Sequence, residues 1–157
     1  MVEKGAKFSL DRLYRYLLWR IWDSTKRPAL FIGLNPSTAD ENVDDPTIRR
    51  CIRFAMDWGH GGLIMANLFA YRATDPKELR CIADPTGRDN DDYIISAHKD
   101  AGITVLAWGN GGLYLDRGNT VTEMLPGSAR LRITKQGQPQ HPLYLPKNTR
   151  PFGLVSA

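Results

Sequence analysis

A short apolar run that passes directly into a polar loop places the tightest constraint on the fold of this chain. Residues 29–32 (ALFI) are all apolar, which is typical of a strand buried on both faces of a sheet. The run ends in residues 33–40 (GLNPSTAD), where small and polar side chains take over. Ligands of open α/β sheets bind outside the carboxyl ends of the strands, so Asn35 is a candidate for chemistry. Pro36 favours an extended backbone at Asn35 and a fixed direction for its amide, although such residues also form ordinary turns.

Two further apolar runs indicate strands of the same sheet. Residues 63–69 (LIMANLF) contain a single amide, Asn67, and residues 103–109 (ITVLAWG) end in a glycine-rich turn. Residues 131–134 (LRIT) predict a short last strand. Helical signals lie between the strands, at residues 46–58 behind the N-cap pair Asp45 and Pro46, at 75–78, at 89–101 and at 113–125. Strands that alternate with helices predict an α/β fold with three layers, α/β/α, around a central, mostly parallel sheet.

The N-terminal region carries a helical pattern of apolar residues. Over residues 10–22 these residues recur at the i, i+3, i+4 and i+7 positions, which predicts an amphipathic helix with Ser9 as its N-cap. Arg12, Arg15 and Arg20 would then lie on the solvated side of this helix.

Length and composition are those of one globular domain. The chain has 157 residues, of which 42% are hydrophobic and 24% are charged. We expect a single domain over residues 1–157, made of an N-terminal helix and connector (1–28), a core (29–145) and a tail (146–157). No apolar stretch approaches the ~20 residues of a membrane span, and the first residues lack the pattern of a secretion signal. A cytoplasmic location and a monomer are therefore expected, with no membrane contact.

The cysteines and the net charge indicate which ligands and partners to expect. Cys51 and Cys81 lack metal-ligand spacing and are expected to be buried thiols, so no metal or cofactor is implied. The formal net charge of +4 is mildly favourable to a polyanionic partner. From position 130 onward the chain has no acidic residue but several basic ones, namely Arg130, Arg132, Lys135, Lys147 and Arg150.

Polar groups at the ends of the predicted strands are expected to converge on one site. Asn35 and Asn67 end two strands, residues 108–109 end the third, and His141 lies on a loop after the last. Because parallel strands place their carboxyl ends at one edge, these groups should lie together although they are distant in sequence. Two of them also have structural interpretations, Asn67 as a hydrogen-bonded core amide and His141 as a loop residue packed beside Pro142.

Four peptides resemble, in order and rough spacing, motifs of the uracil-DNA glycosylase superfamily. Residues 33–40 (GLNPSTAD) are similar to its water-positioning loop, and residues 63–72 (LIMANLFAYR) resemble the strand whose terminal Asn reads a flipped base. Residues 105–109 (VLAWG) look like the third core strand, and residues 141–145 (HPLYL) look like the His-Pro loop. The chain resembles more closely an uncharacterised bacterial and phage family of unknown function, number 1643, which looks like a branch of that superfamily. A uracil-DNA glycosylase-like fold is thereby implied.

The resemblance implies a role for each strand-end residue. Asn35 would position the attacking water, Asn67 would hydrogen-bond the flipped base, and His141 would stabilise the departing base. The most active members have Asp where this chain has Asn35, and an amide can orient water but accepts a proton poorly. A nearby carboxylate, Asp40 or Asp45, would then assist, although capping alone also explains Asp45.

Further contacts with DNA complete the expected site. Leu34 together with Phe69 or Tyr71 would hold the base, although both aromatic residues also fit a core role. In place of the superfamily's Ser-rich loop, Leu143 and Tyr144 could wedge into a base stack. The candidate DNA contacts are Ser37, Arg72, Lys135, Leu143, Tyr144 and Lys147, the basic ones of which could also be merely solvated.

These residues predict a monofunctional DNA glycosylase that excises a uracil-like or modified pyrimidine and leaves an abasic site. Hydroxymethylated or glucosylated cytosine of phage DNA is one such base, and its excision would make the protein an antiviral defence factor. A catalytically inactive module that binds DNA or a partner, and a hydrolase of free nucleosides or nucleotides, remain as alternatives.

Overall fold

The computed structural model, which describes residues 2–153, has a six-stranded mixed sheet at its centre. The order of strands across the sheet is β1-β2-β4-β3-β5-β6. β1 pairs antiparallel with β2 and β2 with β4, whereas β4, β3, β5 and β6 run parallel to one another. The strands are β1 (Glu3–Phe8), β2 (Arg15–Ile21), β3 (Ala29–Gly33), β4 (Gly62–Asn67), β5 (Ile103–Leu106) and β6 (Ala129–Arg130). The α-helices are α1 (Pro46–Asp57), α2 (Asn90–Asp100) and α3 (Arg117–Met124).

The sheet is covered by helices on both faces. In β3, which is buried throughout, Phe31 packs into the cluster that includes Phe54 of α1. Leu30 and Ile32 point to the opposite face and join a cluster built with α2 and α3. Successive side chains of a strand alternate between faces, so an entirely apolar strand needs two apolar layers against it. The predicted three-layer α/β/α architecture with a mostly parallel sheet is confirmed.

Helix α1 begins and ends where its sequence signals predict. The side chain of Asp45 accepts a hydrogen bond from the amide of Ile48, and Pro46 occupies the first turn. The chain leaves the helix at Trp58 and continues through Gly59, whose φ of +84° favours glycine. This cap fixes Asp45 at the carboxyl edge of the sheet, where the loop from β3 enters the helix.

The helix predicted over residues 10–22 is wrong, because this segment forms the turn and second strand of a β-hairpin. β2 pairs with β4, with Leu18 opposite Met65, and its apolar residues are divided between the two faces of the sheet. Pairing with a central strand outweighs the local helical pattern. Ser9 consequently lies in the hairpin turn, where its hydroxyl accepts from the amide of Tyr14.

Two arginines that were predicted to be solvated are buried by this hairpin. Arg15 is 2% exposed and Arg20 is 1% exposed, whereas Arg12 is exposed as expected. Arg20 pairs with Asp44 at 2.8 Å and donates to the carbonyl of Asp40 at 2.6 Å. It therefore holds the loop between β3 and α1 against the hairpin.

Three predicted details near the C-terminal half need correction. The last strand is β6, which begins two residues before the predicted 131–134 and lies at the sheet edge. The helix predicted over 113–125 is present only as α3, because residues 113–116 belong to the 3-10 helix Gly109–Asp116 and the backbone breaks at Leu115 (φ 56°) before α3 begins. Cys81, at the end of the 3-10 helix Pro76–Cys81, is exposed, whereas Cys51 is buried as predicted.

The three α-helices of the described residues are short, with lengths of 12, 11 and 8 residues for α1, α2 and α3. No helix within residues 2–153 is long and apolar enough to cross a bilayer. Met1 and residues 154–157, the last part of the predicted tail, lie outside the described residues.

Candidate functional site

One cavity opens at the carboxyl edge of the parallel strands. Its volume is about 200 Å³, and its wall is built by the segments that follow β3, β4 and β5 together with the loop after β6. Six predicted site residues line it: Leu34, Asn35, Ser37, Asp45, Asn67 and His141. The topology therefore brings together side chains that are more than one hundred positions apart in sequence, as the strand ends predict.

The amide of Asn35 is held in one orientation by two backbone carbonyls. Its Nδ2 donates to the carbonyl of Pro36 at 3.0 Å and to that of Ala73 at 2.7 Å. Both amide hydrogens are thus used, and Oδ1 receives no hydrogen bond from residues 2–153. Asn35 consequently contributes a fixed acceptor that can orient a water molecule.

Asn67 ends β4 and brings an unpaired donor to the cavity wall. The residue is 2% exposed, and its Nδ2 is buried with no acceptor in the described chain. A buried donor without a partner costs about 1–3 kcal/mol, so an acceptor on a ligand would recover that cost. Gly33 lies opposite in the parallel pair, and a Cβ there would come 2.8 Å from Asn67 Oδ1. The first glycine of the loop therefore leaves room for this amide.

His141 is held as a neutral imidazole. Its Nδ1 accepts a hydrogen bond from the amide of Leu143 at 3.1 Å, so the ring proton resides on Nε2. Burial penalises the imidazolium and lowers the pKa of His141, an effect that the carboxylate of Asp45 opposes only in part. The side chain therefore offers an N–H donor without a positive charge.

Acidification is expected to weaken the folded protein through His141. The pKa of His141 is lower in the folded chain than the ordinary value of 6.5, so the neutral ring stabilises the fold fully above about pH 6.5. This contribution is lost as the pH falls through the folded pKa. Urea unfolding should therefore show a larger loss of stability between about pH 7.5 and pH 5 in the wild type than in His141→Asn. Equal pH dependence in the two proteins would contradict the neutral assignment.

The two candidate carboxylates have different positions. Asp45 lines the cavity, and one of its oxygens caps α1. Asp40 is not part of the cavity wall. Its Oδ1 accepts from the amides of Asn42 and Val43, and these hydrogen bonds lower the pKa of Asp40. The structure therefore favours Asp45 as the carboxylate beside Asn35 and His141, and gives Asp40 a role in folding its loop.

Arg15 is a cavity residue that the sequence did not reveal. It begins β2, which runs antiparallel to β4, and so lies at the same edge as Asn67. Burial penalises the charged guanidinium and lowers the pKa of Arg15 to about 10, so the side chain remains a cation at neutral pH. Arg15 is not among the predicted site residues, because a helix over residues 10–22 would place its side chain on the solvated side.

The base-binding candidates are divided between the cavity and the core. Leu34 lines the cavity, but Phe69 is fully buried against Tyr114, with 5.6 Å between the ring centroids. Tyr71 packs edge-on against Tyr14 at 5.6 Å and is also absent from the wall. The aromatic residue of the wall is Trp108, after β5, whose Nε1 donates to Gln138 at 3.0 Å. Trp108 therefore belongs both to the cavity wall and to the buried cluster on that face of the sheet.

The candidate DNA contacts lie at different distances from the cavity mouth. Ser37 lines the cavity, and Tyr144, which is 91% exposed, follows His141 on the same loop with the half-buried Leu143. Lys135 is exposed on the turn after β6.

Two basic candidates are engaged elsewhere. Arg72 is half-buried, stacks over Phe8 and donates to the carbonyl of Arg12 at 3.2 Å. Lys147 lies beside Trp58 at the far end of α1, about 18 Å along the helix from its capped end. The structure therefore does not bring Lys147 to the cavity mouth.

No group of three or more His, Cys, Asp or Glu side chains within residues 2–153 is arranged to hold a metal ion.

Comparison with known proteins assigns the chain to a family but indicates no activity. No curated protein and no solved structure matched the chain. Residues 15–143, most of its length, match a family described as "Protein of unknown function (DUF1643)". The chain belongs to this family of unknown function, DUF1643.

Proposed function

We propose that this protein is a monofunctional DNA glycosylase that flips a pyrimidine nucleotide out of DNA and hydrolyses its N-glycosidic bond. The main support for the proposal is one cavity shared by Asn35, Asn67 and His141, each of which has a hydrogen-bonding group without a partner among residues 2–153. The resemblance of four peptides to uracil-DNA glycosylase motifs supports the same assignment.

Base recognition falls to Asn67 in this proposal. Its Nδ2 donates to a carbonyl oxygen on the Watson-Crick edge of the everted base, which satisfies the buried donor. Trp108 and Leu34 supply the flat apolar wall against which the ring packs. The base thus replaces hydrogen bonds and stacking that it loses on leaving the duplex.

Bond cleavage uses the remaining groups. Asn35 Oδ1 orients the water that attacks the anomeric carbon, and the free oxygen of Asp45 takes up the proton that the water releases. Nε2–H of His141 donates to the base oxygen on which negative charge develops. A neutral donor suits this role because it gains strength as the oxygen becomes anionic, without attracting the uncharged ground state strongly.

The size of the cavity bears on the substrate. A volume of about 200 Å³ is below the range of roughly 300–1,000 Å³ typical of drug-sized ligands. It suits one pyrimidine ring, so a hexose attached to the base would have to lie outside, in the mouth. Uracil, mismatched thymine and small modified cytosines are therefore the first substrates to test.

The surroundings of the mouth favour a macromolecular substrate over a free nucleoside. Most large apolar side chains that are exposed within residues 2–153 lie on segments that leave this edge of the sheet. We propose that they form part of the surface that contacts a macromolecular substrate. These side chains are Leu10, Leu13, Val43, Leu113, Leu115, Ile133 and Tyr144.

The proposal is tested with a panel of duplexes that carry uracil, mismatched thymine, hydroxymethylcytosine or glucosylated hydroxymethylcytosine. Abasic sites are revealed by alkaline cleavage, and Asn35→Ala with His141→Ala serves as the inactive control. We expect cleavage of at least one duplex by the wild type and none by the control. Cleavage of hydroxymethylated or glucosylated DNA would add an antiviral role. No cleavage in the panel, or turnover of free nucleosides alone, would overturn the assignment.

Exchange of Asp45 for Asn separates its charge from its capping role. Asn keeps an oxygen that can cap α1, so the free energy of unfolding should change by less than about 1 kcal/mol. The rate of base excision should fall by about 10²-fold, because the amide accepts no proton from water. Single-turnover rates and urea unfolding measure the two effects. Asp75→Asn, the same change at the exposed cap of a 3-10 helix, is the matched control and should leave the rate unchanged. Full activity in Asp45→Asn would restrict Asp45 to capping.

A further inference from the structure

We propose that Arg15 contacts the substrate and makes the cavity a receptor for the anionic form of a pyrimidine base. This inference rests on the proposed function for its catalytic meaning. When the bond from the anomeric carbon to the base nitrogen breaks, its electron pair goes to the base. Water supplies the oxygen to the anomeric carbon and its proton passes to Asp45. The departing base is thus an anion until it is protonated, and a buried cation stabilises it at that moment.

The hydrogen bonds of Arg15 are incomplete within the protein. Its Nη1 donates to the carbonyl of Ala39 at 3.0 Å, whereas Nε is buried without an acceptor among residues 2–153. No carboxylate of the described chain lies within ion-pair distance of this guanidinium. A buried arginine whose Nε has no acceptor and whose charge has no ion-pair partner is costly, so we expect a ligand to supply the missing partner.

The other buried arginines show what a structural role requires here. Arg20 pairs with Asp44 and donates to the carbonyls of Trp19 and Asp40. Arg117 pairs with Asp91 and donates to the carbonyl of Leu68 at 2.9 Å. Each of these two has a carboxylate partner, and neither lines the main cavity. Arg15 differs from them in both respects.

The charges around the cavity agree with an anionic ligand. His141 is neutral, so Arg15 is the cation of the cavity wall, and Asp45 is its carboxylate. The planar guanidinium presents its donors as a fork that matches two neighbouring acceptors on one edge of a planar anion. A pyrimidine anion offers such an edge through its ring nitrogen and the adjacent carbonyl oxygen.

The catalytic role of Arg15 is tested by comparing excision rates for bases that differ in how easily they leave as anions. Arg15→Met keeps an unbranched, flexible side chain and removes the guanidinium with its charge, and Arg12→Met, at an exposed arginine nearby, is the control. On uracil duplexes, or the best base of the panel, Arg15→Met should lower the single-turnover rate by about 10- to 100-fold. The loss should be several-fold smaller on the 5-fluoro analogue, whose anion needs less stabilisation. An equal loss on both bases would overturn the inference.

Binding of the free base tests the inference without DNA cleavage. The free base 5-fluorouracil, which ionises at a pH at which Arg15 is still charged, is titrated by calorimetry below and above its own pKa. The wild type should bind the anion more tightly than the neutral base, and Arg15→Met should lose this preference. If the wild type prefers the anion but cleaves no duplex of the panel, the glycosylase assignment is refuted and the anion-binding site is still supported. Absence of that preference, or a large loss of stability in Arg15→Met on urea unfolding, would overturn the role of Arg15.

Discussion

His141→Ala is expected to lower the rate of base excision by about 10³-fold at saturating DNA, with little change in DNA affinity. The imidazole donates to charge that exists only as the glycosidic bond breaks, so its removal raises the barrier without weakening the ground-state complex. The neutral form that this role requires is set by the bond from the Leu143 amide to Nδ1 and by burial. Single-turnover kinetics and fluorescence anisotropy measure the two quantities.

His60→Ala provides the matched control for this prediction. His60 follows α1 and precedes β4, at the amino edge of the parallel strands, on the opposite side of the sheet from the cavity. Removal of its imidazole should leave the rate of excision unchanged. A loss of DNA affinity in His141→Ala that accounts for the whole loss of activity would instead make His141 a DNA contact.

Asn35→Asp is expected to lower the free energy of unfolding by about 2–4 kcal/mol and not to accelerate excision. The resemblance alone suggests the opposite, since the most active members of the glycosylase superfamily have Asp in this loop. In this chain, however, Nδ2 of Asn35 donates to the carbonyls of Pro36 and Ala73. A carboxylate would replace both hydrogen bonds by close contacts between oxygens, and would leave two carbonyls without a donor.

Urea unfolding at neutral pH measures the effect, with Asn148→Asp as the control. Asn148 is exposed, so the same exchange should change stability by less than about 0.5 kcal/mol. Unchanged stability together with faster excision in Asn35→Asp would show that the loop rearranges to present the carboxylate to water. The amide would then not be required by the backbone of this loop.

Local signals in the sequence were sufficient where one short segment decides its own structure. Asp45 followed by Pro46 marks the start of α1 because the cap involves only neighbouring backbone amides. The apolar run of β3 marks a central strand because only burial on both faces suits it. Asn67 and His141 could be placed at one edge since parallel strands end together.

The aromatic residue and the carboxylate of the cavity wall could not be chosen from sequence. Phe69 and Trp108 are both aromatic residues near a strand end, and only packing shows that Trp108 lines the cavity while Phe69 lies in the core. Asp40 and Asp45 belong to one loop, and only the hydrogen bonds of that loop show which of them is occupied by backbone amides.

The sequence by itself determined the layered α/β architecture, the start of α1 and the edge at which the amides and the imidazole meet. The architecture follows from burial patterns, the start of α1 from contacts between near neighbours in the chain, and the shared edge from the rule that parallel strands end together. Only the tertiary structure decided that residues 15–21 form a strand, because the pairing of β2 with β4 depends on hydrogen bonds to a distant segment. The same pairing carries Arg15 from an expected solvated surface into the cavity wall, where no carboxylate of residues 2–153 lies within ion-pair distance of its guanidinium.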